Sequence, residues 1–160
     1  MNNTLYITVG LPGSGKSTYV KNFIKDKDVE YLSSDELRAI YGKDETDQSV
    51  TSIVFGHIKR TVDEFIKDGK NVLVDATSVN RKERSAYINT AKKYGAKVVA
   101  IVFKMDRQGL IERNKKRGEQ GGRVVPDFVI DKMLAKYEDP SYSEGIDVII
   151  YVWKTTKTNT

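Results

Sequence analysis

Apolar residues in this chain are concentrated in five short runs, and longer stretches with helical periodicity separate the runs. The runs occupy residues 5–9, 29–33, 71–75, 97–103 and 147–153. Three of them are nearly continuous in valine, isoleucine and leucine, which is typical of strands that are covered on both faces of a parallel sheet. We therefore predict five strands in a mostly parallel sheet.

The stretches between the runs carry helical patterns and helix boundary signals. Apolar side chains recur at helical spacing between residues 47 and 68, and Gly69 follows as a stop signal. Asn80 and Asp106 are predicted N-terminal caps of two later helices, and Pro126 suits the first residue of another. Strands that alternate with helices predict a three-layer α/β fold.

Composition sets broad limits on the class of protein. The chain has 160 residues, of which 39% are hydrophobic and 31% charged, which fits one domain. It has no cysteine, which excludes disulfides, thiolate zinc sites and cysteine nucleophiles. We see no signal-peptide pattern and no apolar run near the ~20 residues of a membrane span, so we expect a soluble cytoplasmic protein. Residues 154–160 are expected to form a frayed tail.

The formal net charge is +5, with an isoelectric point near 9.2. Such a charge favours anionic partners, which include nucleotides, nucleic acids and acidic membranes. A lysine-rich surface without a particular partner explains the same number equally well.

The segment GLPGSGKST, residues 10–18, follows the first predicted strand and precedes a helical stretch. It satisfies the P-loop pattern, in which glycines let backbone N–H groups converge on phosphate oxygens at the start of a helix. Lys16 would contact the β- and γ-phosphates of ATP, and Ser17 would offer its hydroxyl to Mg²⁺. The predicted phosphate-binding residues are Gly13, Ser14, Gly15, Lys16, Ser17 and Thr18.

The segment LSSDELRAIYG, residues 32–42, follows the second predicted strand. Asp35 and Arg38 are three residues apart and would share a helix face. A carboxylate there can accept a proton from an attacking hydroxyl, and an arginine can bind a substrate phosphate. The local sequence alone favours a simpler interpretation, because Ser33 and Glu36 have capping-box spacing. Asp35 would then only lie at a helix N-terminus, and Arg38 would only face solvent.

Asp75 ends the third predicted strand, where P-loop proteins place an acidic residue. It would hold Mg²⁺ through a water molecule or position Lys16. The alternative is a turn or helix cap, since polar residues follow it.

A basic stretch, residues 110–126, contains Arg113 and Arg117 four residues apart on one helix face. Glycines at 118, 121 and 122 are expected to make the following segment mobile, so that it can close over ATP and bring an arginine to the γ-phosphate. A solvated basic helix followed by a flexible loop is the alternative.

Taken together, these motifs resemble the polynucleotide 5′-kinase domain of phage and bacterial end-healing enzymes, a branch of the P-loop kinases. The matching segments are 10–18, 33–38, 74–77, 112–118, 124–133 and 140–147. The P-loop alone is shared by many nucleotide-hydrolysing proteins, whereas DELR spacing and RNKKRG followed by VVP are more specific. The resemblance spans residues 5–153, and the DATSVN turn departs from the phage version.

The resemblance implies a role for each matching residue. Asp35 resembles the general base on the 5′-hydroxyl, and Arg38 the residue that holds the acceptor nucleotide's phosphate. Arg117 resembles the arginine of a helical lid, here residues 106–125, that clamps the donor phosphates, and Arg113 a neighbouring lid arginine. Asp75 matches the acid at the end of the third strand. The implied strand order is 2-3-1-4-5.

The implied function is a single kinase domain, residues 1–160, that transfers the γ-phosphate of Mg²⁺·ATP to the 5′-hydroxyl end of DNA or RNA in nucleic acid repair. A phage-encoded chain would act in the host cytoplasm. The same fold branch includes kinases of small alcohols and antibiotics, so a small-metabolite kinase remains an alternative. A nucleotide-binding module without phosphotransfer is another. No membrane partner is expected, and the oligomeric state stays open.

Other aromatic residues receive structural interpretations. His57 is a single histidine beside an apolar helix face, which makes a poor metal site. Trp153 is expected to pack rather than to stack on a base. Tyr41, Tyr87 and Tyr94 are expected to pack against the core or cover its edge.

Overall fold

The computed structural model describes residues 2–11, 14–45, 47–104, 106–121 and 124–153. Within these ranges, five β-strands alternate with six α-helices. The strands are β1 (Thr4–Val9), β2 (Glu30–Ser33), β3 (Val72–Asp75), β4 (Lys97–Lys104) and β5 (Val148–Trp153). The helices are α1 (Lys16–Ile24), α2 (Ser34–Tyr41), α3 (Thr51–Lys67), α4 (Arg81–Lys93), α5 (Arg107–Glu119) and α6 (Asp127–Lys136). Short 3₁₀ turns at Gln48–Val50 and Tyr142–Glu144 precede α3 and β5.

The five strands form one parallel sheet in the order β2-β3-β1-β4-β5, which confirms the implied order. The three central strands are mostly buried, which explains the nearly continuous apolar runs of β3 and β4. Register places Leu73 of β3 opposite both Tyr6 of β1 and Tyr31 of β2. These three side chains therefore share one face of the sheet.

Apolar side chains cover both faces of the sheet and so create three layers. On one face, Leu5, Ile7 and Val9 of β1 join the buried stripes of α3 and α4 in the largest core cluster. On the other face, Val20 of α1 packs with buried side chains of β3 and β4, among them Phe103. The predicted three-layer α/β architecture is confirmed.

A smaller apolar cluster lies beneath α5 and α6, the helices within and after the predicted lid. Leu110 of α5 and Ile130 of α6 are buried there together with Leu11, which begins the phosphate loop. The buried side chain of Asn114 accepts a hydrogen bond from the Val125 backbone N–H at 2.8 Å and donates another to the Val125 carbonyl oxygen. The segment that precedes α6 is therefore fastened to α5.

Helix boundaries follow the predicted capping signals closely. The side chain of Asn80 accepts a hydrogen bond from the Glu83 N–H at 2.9 Å, and that of Asp106 accepts one from the Gly109 N–H at 2.7 Å. Pro126 lies one residue before α6 rather than at its first residue. Its carbonyl oxygen accepts the first helical hydrogen bonds, so it occupies the N-cap position, where a missing N–H also costs nothing.

The expectations for aromatic side chains were partly wrong. Trp153 does not pack into the core, because it ends the edge strand β5 and is 70% exposed. Tyr87 is buried, as expected, whereas Tyr41 is 44% exposed and shares a 3.1 Å hydrogen bond with Nδ1 of His57. The predicted tail, residues 154–160, lies outside the described residues. In the ranges that the structure describes, no helix is both long and apolar enough to cross a bilayer.

Candidate active site

One cleft of about 470 Å³ brings the predicted site residues together. It lies at the carboxyl ends of β2 and β3, beside the start of α1, which is where open parallel sheets place their ligands. The predicted residues on its walls are Gly15, Lys16, Ser17, Thr18, Asp35, Arg38, Asp75, Arg113 and Arg117. Ser14 does not line the cleft, and Gly13 lies outside the described residues. The roles given to these residues remain predictions.

The described part of the phosphate loop is held by backbone contacts with its surroundings. The Gly10 N–H donates a hydrogen bond to the Thr77 carbonyl oxygen at 3.0 Å, which joins the loop to the segment after β3. Nζ of Lys16 donates to the Gly10 carbonyl oxygen at 2.8 Å. Gly15 has a φ of 90°, a conformation that favours glycine, and α1 begins at the next residue. The start of α1 therefore lies at the cleft, which Gly15, Lys16, Ser17 and Thr18 line.

Ser14 occupies a different environment from its neighbours in the loop. It is 1% exposed, and its hydroxyl has no hydrogen-bond partner among the described residues. A Cβ atom at Gly10 would come within 2.8 Å of that hydroxyl and 3.0 Å of the Phe103 Cβ. Gly10 is thus required for the close approach of the loop to β4 and to Ser14.

Asp75 is held on the α1 side of the sheet by residues from two neighbouring strands. Its Oδ2 accepts a 2.5 Å hydrogen bond from the Tyr31 hydroxyl on β2. Its Oδ1 lies 3.4 Å from the hydroxyl of Thr8 on β1. Burial, together with the hydrogen bond to Asp75, raises the pKa of Tyr31 above its usual value, so the phenol remains a proton donor.

Asp35 and Arg38 lie on α2, which starts directly after β2. The Ser33 hydroxyl accepts a hydrogen bond from the Glu36 N–H at 3.2 Å, so the predicted cap exists. The capping interpretation does not account for the other two residues, because Asp35 lines the cleft and Arg38 is only 8% exposed. The idea that Arg38 merely faces solvent is wrong.

The guanidinium of Arg38 is positioned by α3. Nη2 donates to the Thr51 hydroxyl at 3.5 Å, and Cζ lies 5.6 Å from the centre of the Phe55 ring. An aromatic ring within about 6 Å attracts a guanidinium, so Phe55 helps to hold Arg38 at the wall of the cleft. Arg38 is therefore suited to bind a phosphate that enters the cleft.

Arg113 and Arg117 reach the cleft from α5. α5 continues to Glu119, one residue past Gly118, and a Cβ at Gly118 would collide with the Val124 side chain. Gly118 therefore allows close packing. The expected mobility of the segment after Arg117 stays a prediction. Gly121 has a φ of 78°, which favours glycine, and Gly122 and Arg123 lie outside the described residues.

Charges of both signs surround the cleft. The basic residues on its walls are Lys16, Lys21, Arg38, Arg113 and Arg117, and the acidic ones are Asp35, Glu36, Glu45, Asp75 and Glu83. The described ranges contain no cluster of three histidine, cysteine or acidic side chains arranged to hold a metal ion. Mg²⁺ commonly uses one carboxylate together with waters and substrate phosphates. Ser17 and Asp75, which share the cleft, therefore fit a Mg²⁺ ion that arrives with a nucleotide.

Sequence reasoning missed the residues that support this site. Tyr31, Thr51 and Phe55 line the cleft. Each lies in a predicted strand or helix, but nothing local indicates which distant side chain it meets. Alternation along β2 would have placed Tyr31 on the same face as Ser33, which is the one available signal.

A buried arginine that was also missed holds the loop after β3. Arg84 is fully buried and forms a 2.8 Å ion pair with Glu144. It also donates to the carbonyl oxygens of Ser78 at 2.8 Å and Glu138 at 2.9 Å. Ser78 has a φ of 46°, a strained conformation for serine, and the adjacent Thr77 accepts the bond from Gly10 of the phosphate loop.

Comparison with known proteins shows relatives of this fold. A family model described as an AAA domain matches residues 5–140. The L-seryl-tRNA(Sec) kinase of Methanococcus maripaludis is 30% identical over 159 residues, which cover 90% of this chain and 56% of that protein. The chain thus spans about half the length of this relative.

Two solved structures extend the comparison. A chain of the Pnkp1/Rnl/Hen1 RNA repair complex is 28% identical with a TM-score of 0.73, over 84% of this chain and 44% of that one. Kti12 of Chaetomium thermophilum, solved in complex with ADP-AlF₃, has a TM-score of 0.71 at 16% identity, over 93% of this chain and 88% of that one. Identity that low shows a shared fold alone. Because the family model covers most of its length, the chain belongs to this AAA-domain family, and its fold is that of the P-loop kinases.

Proposed function

We propose that this chain is a Mg²⁺- and ATP-dependent kinase that phosphorylates the 5′-hydroxyl end of DNA or RNA. One observation carries the proposal: Asp35 and Arg38 line the same cleft as Lys16 of the phosphate loop and Arg117 of α5. The cleft therefore combines a residue able to accept a proton, a residue able to bind an acceptor phosphate and two cations for the phosphates of the donor. Simple nucleotide binding would require only the last of these groups.

The proposed chemistry is an in-line displacement at the γ-phosphorus. Mg²⁺·ATP, when bound, supplies the phosphoryl group and offsets part of its charge. Asp35 accepts the proton of the 5′-hydroxyl. The oxygen of that hydroxyl forms a bond to the γ-phosphorus while the bond from phosphorus to the departing ADP oxygen breaks. Lys16 and Arg117 stabilise the negative charge that spreads over the transferring group. Ser17 and Asp75 would organise the metal ion.

Two features support an acceptor that belongs to a nucleic acid. The Arg38 guanidinium, positioned by Phe55 and Thr51, suits a phosphate of the acceptor and not only its hydroxyl. Two relatives with more than 25% identity carry names that mention RNA: one is a kinase of a seryl-tRNA and the other belongs to an RNA repair complex. A free sugar or nucleoside carries no phosphate that Arg38 could contact.

The relative from Methanococcus maripaludis favours a second candidate, which is phosphorylation of the side-chain hydroxyl of a serine whose carboxyl group is esterified to a tRNA. The same catalytic groups would serve, because a primary alcohol again attacks the γ-phosphorus. The two candidates differ in the group that carries the alcohol.

A panel of acceptors incubated with γ-labelled ATP tests the proposal. The panel contains 5′-hydroxyl DNA and RNA oligonucleotides, their 5′-phosphorylated forms, a 3′-nucleotide, free nucleosides and seryl-tRNA. We expect label on the 5′-hydroxyl oligonucleotides and the 3′-nucleotide, and none on the 5′-phosphorylated forms. Label on seryl-tRNA alone would support the second candidate, and label only on free nucleosides would contradict both.

A further inference from the structure

The strongest unexplained contact in the cleft joins Tyr31 to Asp75. Tyr31 lies on the edge strand β2 and Asp75 at the end of β3, and both line the cleft. The Tyr31 hydroxyl donates a 2.5 Å hydrogen bond to Oδ2 of Asp75. Nothing in the fold requires this contact, because a phenylalanine would fill the same space.

The other oxygen of Asp75 is left in a different situation. Among the described residues, Oδ1 has a single long contact, 3.4 Å, with the Thr8 hydroxyl. That hydroxyl has one proton, and its nearer acceptor is the Ala76 carbonyl oxygen at 2.8 Å. Thr8 also accepts a hydrogen bond from the Ala76 N–H at 3.1 Å, so its hydroxyl is bound to the backbone of the residue that follows β3. Oδ1 therefore keeps most of its capacity to accept further hydrogen bonds.

The ring of Tyr31 is itself held in place. It packs against the core cluster between the sheet and α1, and its backbone is paired with Leu73 in the register of β2 and β3. Tyr31 and Asp75 are diagonal neighbours on one face of the sheet, close enough for a long side chain to span. The donor is therefore fixed by packing and by strand pairing before any ligand arrives.

We propose that Tyr31 is a positioning residue that orients the Asp75 carboxylate toward the metal of the bound nucleotide. The Tyr31 hydroxyl donates a hydrogen bond to Oδ2 and so fixes the torsion of the Asp75 carboxylate. In this orientation Oδ1 would accept a hydrogen bond from a water molecule bound to Mg²⁺. Groups that orient the ligands of a metal in this way commonly change metal affinity 10- to 100-fold when removed. The inference rests on the proposed use of Mg²⁺·ATP but not on the identity of the acceptor.

The variant Tyr31→Phe removes the hydroxyl and keeps the ring. Tyr6→Phe is the matched control, because Tyr6 lies on the same face of the sheet, opposite Leu73, and packs its ring against Phe23. Binding of a fluorescent ADP analogue is titrated at increasing Mg²⁺ concentration and also in EDTA. We expect Tyr31→Phe to raise the Mg²⁺ concentration for half-maximal enhancement of binding about 10-fold, with unchanged affinity in EDTA. Tyr6→Phe is expected to behave as the wild type.

A second variant separates positioning from general loosening of the site. In an Asp75→Asn background, Tyr31→Phe should add no further change in Mg²⁺ requirement, because the two residues act as one unit. The proposal would be overturned if Tyr31→Phe raised the Mg²⁺ requirement by the same factor in the Asp75→Asn background as in the wild type. An unchanged or lowered Mg²⁺ requirement in Tyr31→Phe alone would also overturn it. Nucleotide binding by the wild type that is insensitive to Mg²⁺ would overturn it too. Mg²⁺-dependent binding without transfer to any alcohol would instead refute the proposed function and leave the role of Tyr31 intact.

Discussion

Three arginines in this chain show how environment separates structural from functional side chains. Arg84 is enclosed by Glu144 and by backbone carbonyl oxygens, so all of its guanidinium nitrogens bind groups inside the fold. Arg38 is nearly as buried, but it borders the cleft, and its guanidinium lies over the Phe55 ring. Among the described residues, the Arg81 guanidinium donates to serine hydroxyls at the surface. Of these three, Arg38 alone is placed to exchange a contact with the protein for one with a ligand.

Asp35→Asn tests the proposed general base. The amide has almost the same shape but cannot accept the proton, so we expect kcat for the best acceptor to fall about 10²- to 10⁴-fold. Affinity for the fluorescent ADP analogue should stay within about two-fold of the wild type, because the phosphate loop is untouched. Asp26→Asn, an exposed aspartate after α1, is the control with the same chemical change. Transfer at the wild-type rate by Asp35→Asn would show that another group accepts the proton.

Arg38→Lys tests the proposed contact with the acceptor phosphate. Lysine keeps the charge but loses the planar fork of the guanidinium. We expect KM for a 3′-nucleotide to rise about 10-fold or more, with little change in KM for ATP. Steady-state kinetics with each substrate varied in turn measures this split. An equal rise in both constants would mean that Arg38 organises the whole cleft rather than the acceptor.

At the scale of elements, the support for the site comes from contacts between segments distant in sequence. Arg84 of α4 binds the loop after β3 and the segment after α6. The backbone N–H of Glu138 donates to the Val79 carbonyl oxygen at 2.7 Å and strengthens the same junction. Since Thr77 in that loop binds Gly10, the junction also fixes one end of the phosphate loop.

Arg84→Met is expected to destabilise the fold by about 3–5 kcal/mol, because it leaves the buried Glu144 carboxylate without its partner. Arg81→Met is the matched control on the same helix, and its exposed contacts should contribute less than about 1 kcal/mol. Chemical denaturation followed by circular dichroism measures both values. If Arg84→Met costs no more than Arg81→Met, the junction does not depend on the ion pair.

The sequence predicted most elements because their signals are local. Apolar runs and helix caps such as Asn80 and Asp106 can each be recognised within a few residues. The order of the strands in the sheet followed from the resemblance. Contacts set by register or by long separation were not predictable. The pairing of Tyr31 with Asp75 depends on the register of β2 and β3, and that of Arg84 with Glu144 joins residues 60 positions apart. The close approach of Val124 to Gly118 is another contact that no local signal indicates.

At the scale of the whole molecule, the cleft and the net charge bear on the acceptor together. The walls of the cleft carry similar numbers of basic and acidic residues, so the net positive charge of the chain is not concentrated in the cleft. The basic groups that reach it from α5, Arg113 and Arg117, belong to a helix with further exposed lysines at 115 and 116. A polyanion that entered beside α5 would therefore meet more positive charge than a small metabolite would.

The salt dependence of acceptor binding tests whether a polyanion contacts the basic surface of α5. For single strands, the logarithm of the binding constant falls with the logarithm of salt concentration with a slope of about −0.7 for each phosphate neutralised. We expect an oligonucleotide acceptor to show a slope that corresponds to several phosphates, measured by fluorescence anisotropy. Arg113→Gln should make the slope shallower by about 0.7, whereas Lys67→Gln, an exposed change of equal charge at the end of α3, should leave it unchanged. If both variants shifted the slope equally, net charge and not the α5 surface would govern binding. A slope near zero for the wild type would remove the case for a polynucleotide, because phosphate contacts along a strand cannot form without releasing counterions.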